Sequence, residues 1–124
     1  MAEQAGAAST LGPLEAEVMA VLWRAGTPLA VRDVVARLNA RRRAPLAYTT
    51  VMTVMTRLAR KGVLARSLSD RRFEYQPVAA DRAEIAVRGV LAEFGDAALA
   101  RFVEQAELDP QLRERLRLLM AGRP

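Results

Sequence analysis

The sequence predicts a mainly α-helical fold with one β-hairpin, on three observations. Apolar residues recur at helical spacing over most of residues 13–60 and again over 84–120. Between those regions the period drops to two on either side of a short polar turn. Hydrophobic residues make up 52% of the chain but aromatics only 5%, which favours aliphatic helix packing over a sandwich. At 124 residues the chain is one domain, or a small domain with an appendage.

Taken in order, residues 1–12 are small and polar and are expected to be a disordered tail. Gly12-Pro13 opens the first helix, with proline suited to the first turn. Leu14, Val18, Val21 and Leu22 share one flank while Met19 and Trp23 lie on the other, so this helix should be central and Trp23 a core residue. Gly26-Thr27-Pro28 ends it. Leu29 to Val31 reads as a short extended piece. Val31, Val34, Val35 and Leu38 then mark a second helix, with Arg32, Asp33 and Arg37 outward. A loop over 39–45 holds three arginines, Arg41 to Arg43.

The third helix runs from about Ala47 to Gly62, a glycine placed as a C-cap. Val51, Val54, Met55 and Leu58 form its inner face. Thr49, Thr50, Thr53, Thr56, Arg57 and Arg60 form the outer one. Threonine is a mediocre helix former, because branching at Cβ restricts the side chain. A row of them followed by arginine, with no acid, is not an ordinary solvated face. Val63 to Leu68 and Phe73 to Gln76 read as paired strands. Ser69-Asp70-Arg71-Arg72 is the turn, which places two arginines at the hairpin tip, and Pro77 closes the unit. Three helices followed by a basic hairpin form a winged helix-turn-helix, expected over 13–78.

From residue 79 the composition shifts. Ile85, Val87, Val90, Leu91 and Phe94 keep helical spacing, and Leu99, Phe102, Val103 and Ala106 continue it. Asp109-Pro110 caps a last helix carrying Leu112, Leu116, Leu119 and Met120. This segment, 79–124, is too short to bury so many aliphatics alone. A second copy is the better partner, because a winged helix closes its own core. Val90, Leu91, Phe94, Leu99, Phe102, Val103, Leu112, Leu116 and Leu119 are therefore the expected dimerisation residues.

The charge is uneven. Residues 41–72 carry nine cations against one acid, Asp70, whereas 81–124 are close to neutral. Such an excess is an electrostatic footprint for phosphate. Thr49, Thr50 and Thr53 are expected at base edges in a major groove, with Met52 as a thymine-methyl contact. Thr56, Arg57 and Arg60 are expected nearer the backbone, and Arg43, Arg71 and Arg72 on phosphate or the minor-groove edge. The expected partner is double-stranded DNA. Two alternatives are a winged helix that binds protein, which would not need this charge, and a nonspecific architectural DNA binder. Enzyme chemistry is not expected. There is no cysteine or histidine, and no carboxylate pair in an apolar setting, so neither a cofactor nor a metal is anticipated. No signal peptide and no membrane-length apolar run is present, so the chain is expected in the cytoplasm without membrane binding.

Several stretches resemble the BlaI/MecI family of penicillinase repressors: Glu15 to Trp23, Thr49 to Gly62, Asp70 to Tyr75, and Phe102 to Leu108. The resemblance implies a homodimeric repressor of β-lactam resistance or related stress genes, acting on an inverted-repeat operator. It also implies a membrane sensor protease as a partner, with cleavage at an Asn-Phe bond in the C-terminal part. The matching bond here is Arg101-Phe102, with arginine in place of asparagine. Copper-responsive relatives use cysteine pairs that this chain lacks.

Overall fold

The computed structural model describes residues 11–123; the tail expected at the N-terminus lies, up to residue 10, outside them. The elements are α1 (Pro13–Ala25), α2 (Val31–Asn39), α3 (Tyr48–Arg60), β1 (Leu64–Ser69), β2 (Arg72–Pro77), α4 (Arg82–Phe94), α5 (Asp96–Leu108) and α6 (Pro110–Ala121). The first five make a winged helix-turn-helix. α1 is its centre, packing on α2, α3 and β2. Met19, Leu22, Met55, Leu58, Val18, Val34 and Val51 are fully buried. Each of the larger ones stabilises the fold by roughly 1.5–3 kcal/mol.

Local chemistry sets the joints. Gly26 takes a left-handed conformation (φ 69°), which ends α1 where the sequence places the stop. The following Leu29 bonds Tyr75 in both directions, Leu29 N–H to Tyr75 C=O at 3.0 Å and Tyr75 N–H to Leu29 C=O at 2.8 Å. The extended piece thus becomes a one-residue third strand at the wing's base. α3 ends in a Schellman motif: Val63 N–H reaches Leu58 C=O and Gly62 N–H reaches Ala59 C=O, both at 3.0 Å, with Gly62 at φ 78°. Gly62 is therefore the residue after the cap, and it turns the chain straight into β1.

The loop between α2 and α3 is long for a helix-turn-helix, but one side chain closes it. Asn39 donates to Leu46 C=O at 3.1 Å and accepts from Leu46 N–H at 2.8 Å. In the wing, β1 and β2 pair antiparallel from Leu64↔Pro77 to Ser69↔Arg72. Only Asp70 and Arg71 remain in the turn, both at positive φ (48° and 69°), the signature of type I′.

The C-terminal part departs from the sequence reading in two ways. The periodic run from Ile85 to Ala106 is not continuous: Gly95 (φ 55°, ψ −130°) breaks it into α4 and α5. The boundary near residue 79 is also not a clean division. Ile85 of α4 is buried in the winged-helix core, and Trp23 donates from its indole Nε1 to Ala79 C=O at 2.9 Å. Beyond Ile85, the helices pack in sequence, α4 on α5 and α5 on α6.

Candidate nucleic-acid interface

The outer face of α3 is open. Thr49, Thr50, Thr53, Arg57 and Arg60 are all exposed, while Val51, Val54, Met55 and Leu58 are buried beneath them. The two faces separate as the helical period requires. Thr53 Oγ1 donates to Thr49 C=O at 2.9 Å, a bond to the carbonyl one turn back. Its proton is thereby occupied, and the hydroxyl offers lone pairs and a methyl group outward.

Thr56 departs from the expectation. It is half-buried and faces the wing with Tyr48 and Met52, one helical turn apart from each other, rather than lining up with Arg57 and Arg60. These three form one wall of an open cleft of about 690 Å³ between α3 and the wing. Arg66, Phe73 and Arg32 help to form the rest. The Arg66 guanidinium lies 4.1 Å from the centre of the Phe73 ring, a cation–π contact that holds it against the wing. Arg66 and Phe73 were not singled out by sequence reasoning. The available signal was their diagonal relation across the hairpin, since Arg66 pairs with Tyr75, two residues from Phe73 on the same face.

The wing arginines differ from each other. Arg71 sits in the turn itself, exposed, as expected. Arg72 is not at the tip; it is the first residue of β2, because a two-residue turn leaves only Asp70 and Arg71 outside the ladder. Its Nη2 lies 3.5 Å from Asp33 Oδ2 on α2 and 3.3 Å from Glu74 Oε2 on β2. Arg43 is exposed before α3, while its neighbour Arg42 is bound to Glu17 of α1 at 2.8 Å.

One buried carboxylate lies under the interface. Glu15, 7% exposed, accepts from Gly12 N–H at 2.9 Å and from Lys61 Nζ at 3.0 Å. It therefore ties the start of α1 to the residue that caps α3. Burial alone would raise its pKa. The Gly12 N–H, the Lys61 ammonium and the field of Arg57 outweigh that and hold it below its ordinary value. The sequence contained the cue, a glutamate three residues into a helix that opens at Gly12.

Most of the expected dimerisation residues lie on a face that the described residues leave uncovered. Phe94 is 55% exposed, Leu99 54% and Phe102 46%, and Val90, Leu91, Val103 and Leu119 are exposed too. Leu112 and Leu116 on α6 are half-buried. Val87, Leu91, Leu99 and Phe102 line an apolar groove of about 450 Å³ between α4 and α5. Arg101-Phe102 lies inside α5, and Arg101 Nη1 is bound to Glu104 at 3.0 Å. Among the described residues no cluster of carboxylates could hold a metal ion, and no helix is long and apolar enough to cross a membrane.

Residues 11–121 match a family model described as Penicillinase repressor. The chain is 42% identical over 121 residues to the transcriptional regulator BlaI of Mycobacterium tuberculosis, in both strain CDC 1551 / Oshkosh and strain H37Rv. Those alignments cover 90% of this chain and 86% of the relative. Among solved structures, that of the hsRosR-S4 complex superposes with a TM-score of 0.52 at 18% identity, covering 92% of this chain and 90% of that one. A MarR family protein from Bacillus stearothermophilus gives 0.51 at 15% identity, covering 97% and 82%. At such identities the likeness is one of fold.

Proposed function

The chain belongs to the penicillinase repressor family, and on that premise we propose that it is a DNA-binding transcriptional repressor that reads its operator with α3 and grips the flanking backbone with the wing. The observation that carries this reading is the acid-free outer face of α3, exposed threonine then arginine, beside an exposed arginine at the wing turn. Thr49, Thr50 and Thr53 meet base edges in the major groove, with Met52 at the margin of the contact. Arg57, Arg60, Arg43 and Arg71 meet phosphate and fix register. No catalytic step is needed, because a protein seated on a promoter excludes polymerase.

The repressor acts as a homodimer on an inverted repeat. The support is the apolar face of α4–α6, which nothing among the described residues covers. A second copy would bury it and present a second reading head, as a palindromic site requires. The genes under its control include β-lactam resistance or related stress functions. Release occurs by loosening the dimer, with a membrane sensor protease as the upstream partner. The bond matching the family's cleavage site lies in a hydrogen-bonded helix and lacks asparagine, so a protease of the same type would have to unwind α5 and accept arginine.

The test is a footprint of the purified chain on its own promoter region. The expected result is a protected inverted repeat with half-sites about one helical turn apart, weakened by salt and resistant to unrelated competitor DNA. Binding that unrelated DNA competes away equally well would reject specific recognition.

A further inference from the structure

The cations around the interface differ in whether a carboxylate holds them, and three pairs of chain neighbours each contain one of either kind. Three are tied to carboxylates. Arg42 Nη2 donates to both oxygens of Glu17, at 2.9 and 2.8 Å. Lys61 Nζ donates to both oxygens of Glu15, at 3.3 and 3.0 Å. Arg72 reaches Asp33 at 3.5 Å and Glu74 at 3.3 Å. Each tied cation is the immediate neighbour of an arginine that, among the described residues, makes no salt bridge: Arg43, Arg60 and Arg71.

The tied residues come from three separate segments: the loop before α3, the cap that ends α3, and the wing. Glu17 and Glu15 belong to α1 and Asp33 to α2, the two helices that form the scaffold behind α3. Two of these anchors are themselves held. Glu15 accepts from Gly12 N–H at 2.9 Å, and Asp33 accepts from Ala30 N–H at 3.1 Å, each as the third residue of its helix. A cation whose charge is cancelled by a fixed carboxylate gains little from a phosphate. To reach one it would leave that carboxylate facing the polyanion.

We propose that Arg42, Lys61 and Arg72 are positioning residues, which fasten the three DNA-facing segments to α1 and α2, while their neighbours Arg43, Arg60 and Arg71, together with Arg57, carry the phosphate contacts. The proposal rests on the DNA-binding reading above and divides its cations by role. The pairs of Arg42 and Arg72 are largely exposed, and such pairs contribute little to stability on their own, whereas the Lys61–Glu15 pair is partly buried. Their effect here is on orientation, and so on the selectivity of α3 for its site.

The test uses the full chain, a duplex recovered by selection from random DNA, and poly(dI-dC) as nonspecific competitor. Affinity is followed between 50 and 200 mM salt. Combined Arg43→Gln, Arg60→Gln and Arg71→Gln should lower the salt slope by nearly one unit for each arginine in each protomer and weaken both DNAs alike. Combined Arg42→Gln, Lys61→Gln and Arg72→Gln should keep the slope within about one unit and lose at least about tenfold in selectivity. Single Glu17→Gln or Glu15→Gln changes, and Asp33→Asn combined with Glu74→Gln because Arg72 reaches both carboxylates, release a cation instead, so each should steepen the slope and reduce selectivity. These variants carry the test if the tied-set triple fails to fold by circular dichroism. Glu107→Gln on α5, a charge change of the same sign remote from the interface, should leave the slope as it is.

A tied-set slope that falls as far as that of the other set, or carboxylate variants that behave like Glu107→Gln, would overturn the division of roles while the DNA-binding reading stood. Absence of salt-dependent duplex binding by the unaltered chain would instead remove the reading on which the proposal rests.

Discussion

Thr53 shows how a single hydroxyl limits what a residue can read. Its proton is engaged by Thr49 C=O, so toward DNA it is an acceptor with a methyl beside it. Thr53→Val keeps the shape and removes the acceptor. We expect a loss of roughly 1–3 kcal/mol confined to one base pair of the site, measured by binding to duplexes varied at each position. A uniform loss across all positions would contradict base contact. Glu15 is the other informative residue. Its pKa is held below the ordinary value in the folded chain, so its contribution is present above the unfolded value and lost as pH falls through the folded one. Glu15→Gln should cost about 1.5–3 kcal/mol at neutral pH, and the gap to the unaltered chain should close as the solution is acidified. Urea midpoints measured across the acid range check both the sign and the window.

At the scale of elements, the wing turn sets stability against function. A type I′ turn wants residues that tolerate positive φ, and Arg71 is a poor choice at φ 69°. Its side chain is nevertheless the exposed cation in the wing's turn. Arg71→Gly should therefore raise stability by up to about 1 kcal/mol and weaken DNA binding, with a salt slope lower by about one unit. Thermal melting and anisotropy titration on one preparation would show the opposite signs. A variant less stable than the parent would mean that the turn is held by contacts of the arginine itself. The same hairpin shows why register matters. A two-residue turn instead of four moves Arg72 into β2 and turns it from a tip residue into one bound to Asp33.

For the whole molecule, the division of labour lies between a winged helix with a closed core and a helical extension without one. Ile85 is the extension's main anchor in that core, and the apolar face of α4–α6 remains exposed. Leu99→Asp with Phe102→Asp should give a monomer by sedimentation with the winged helix still folded. Two linked heads gain from effective concentration, so that monomer should lose at least about a hundredfold in operator affinity. A variant that stayed dimeric would move the interface away from the groove between α4 and α5. Much of this architecture was legible in the chain itself. Helical periodicity marked α1, α2 and α3, and the glycines at 26 and 62 marked two of the stops. The break at Gly95 was not, because the apolar spacing runs on through it.

Periodicity, turn residues and charge distribution are local properties, and they sufficed for the element order through the wing, the open face of α3 and the apolar character of the extension. Pairing is not local. Which cation meets a carboxylate depends on helices up to 46 residues away along the chain, as Lys61 and Glu15 are. Thr56 and Arg66 likewise acquired their places only when α3 and the wing came together around a cleft. The amino-acid sequence by itself determined that a cationic, acid-free surface would exist. Tertiary structure decided which of its cations are committed to carboxylates, because opposite charges pair by distance in space and not by position in the chain.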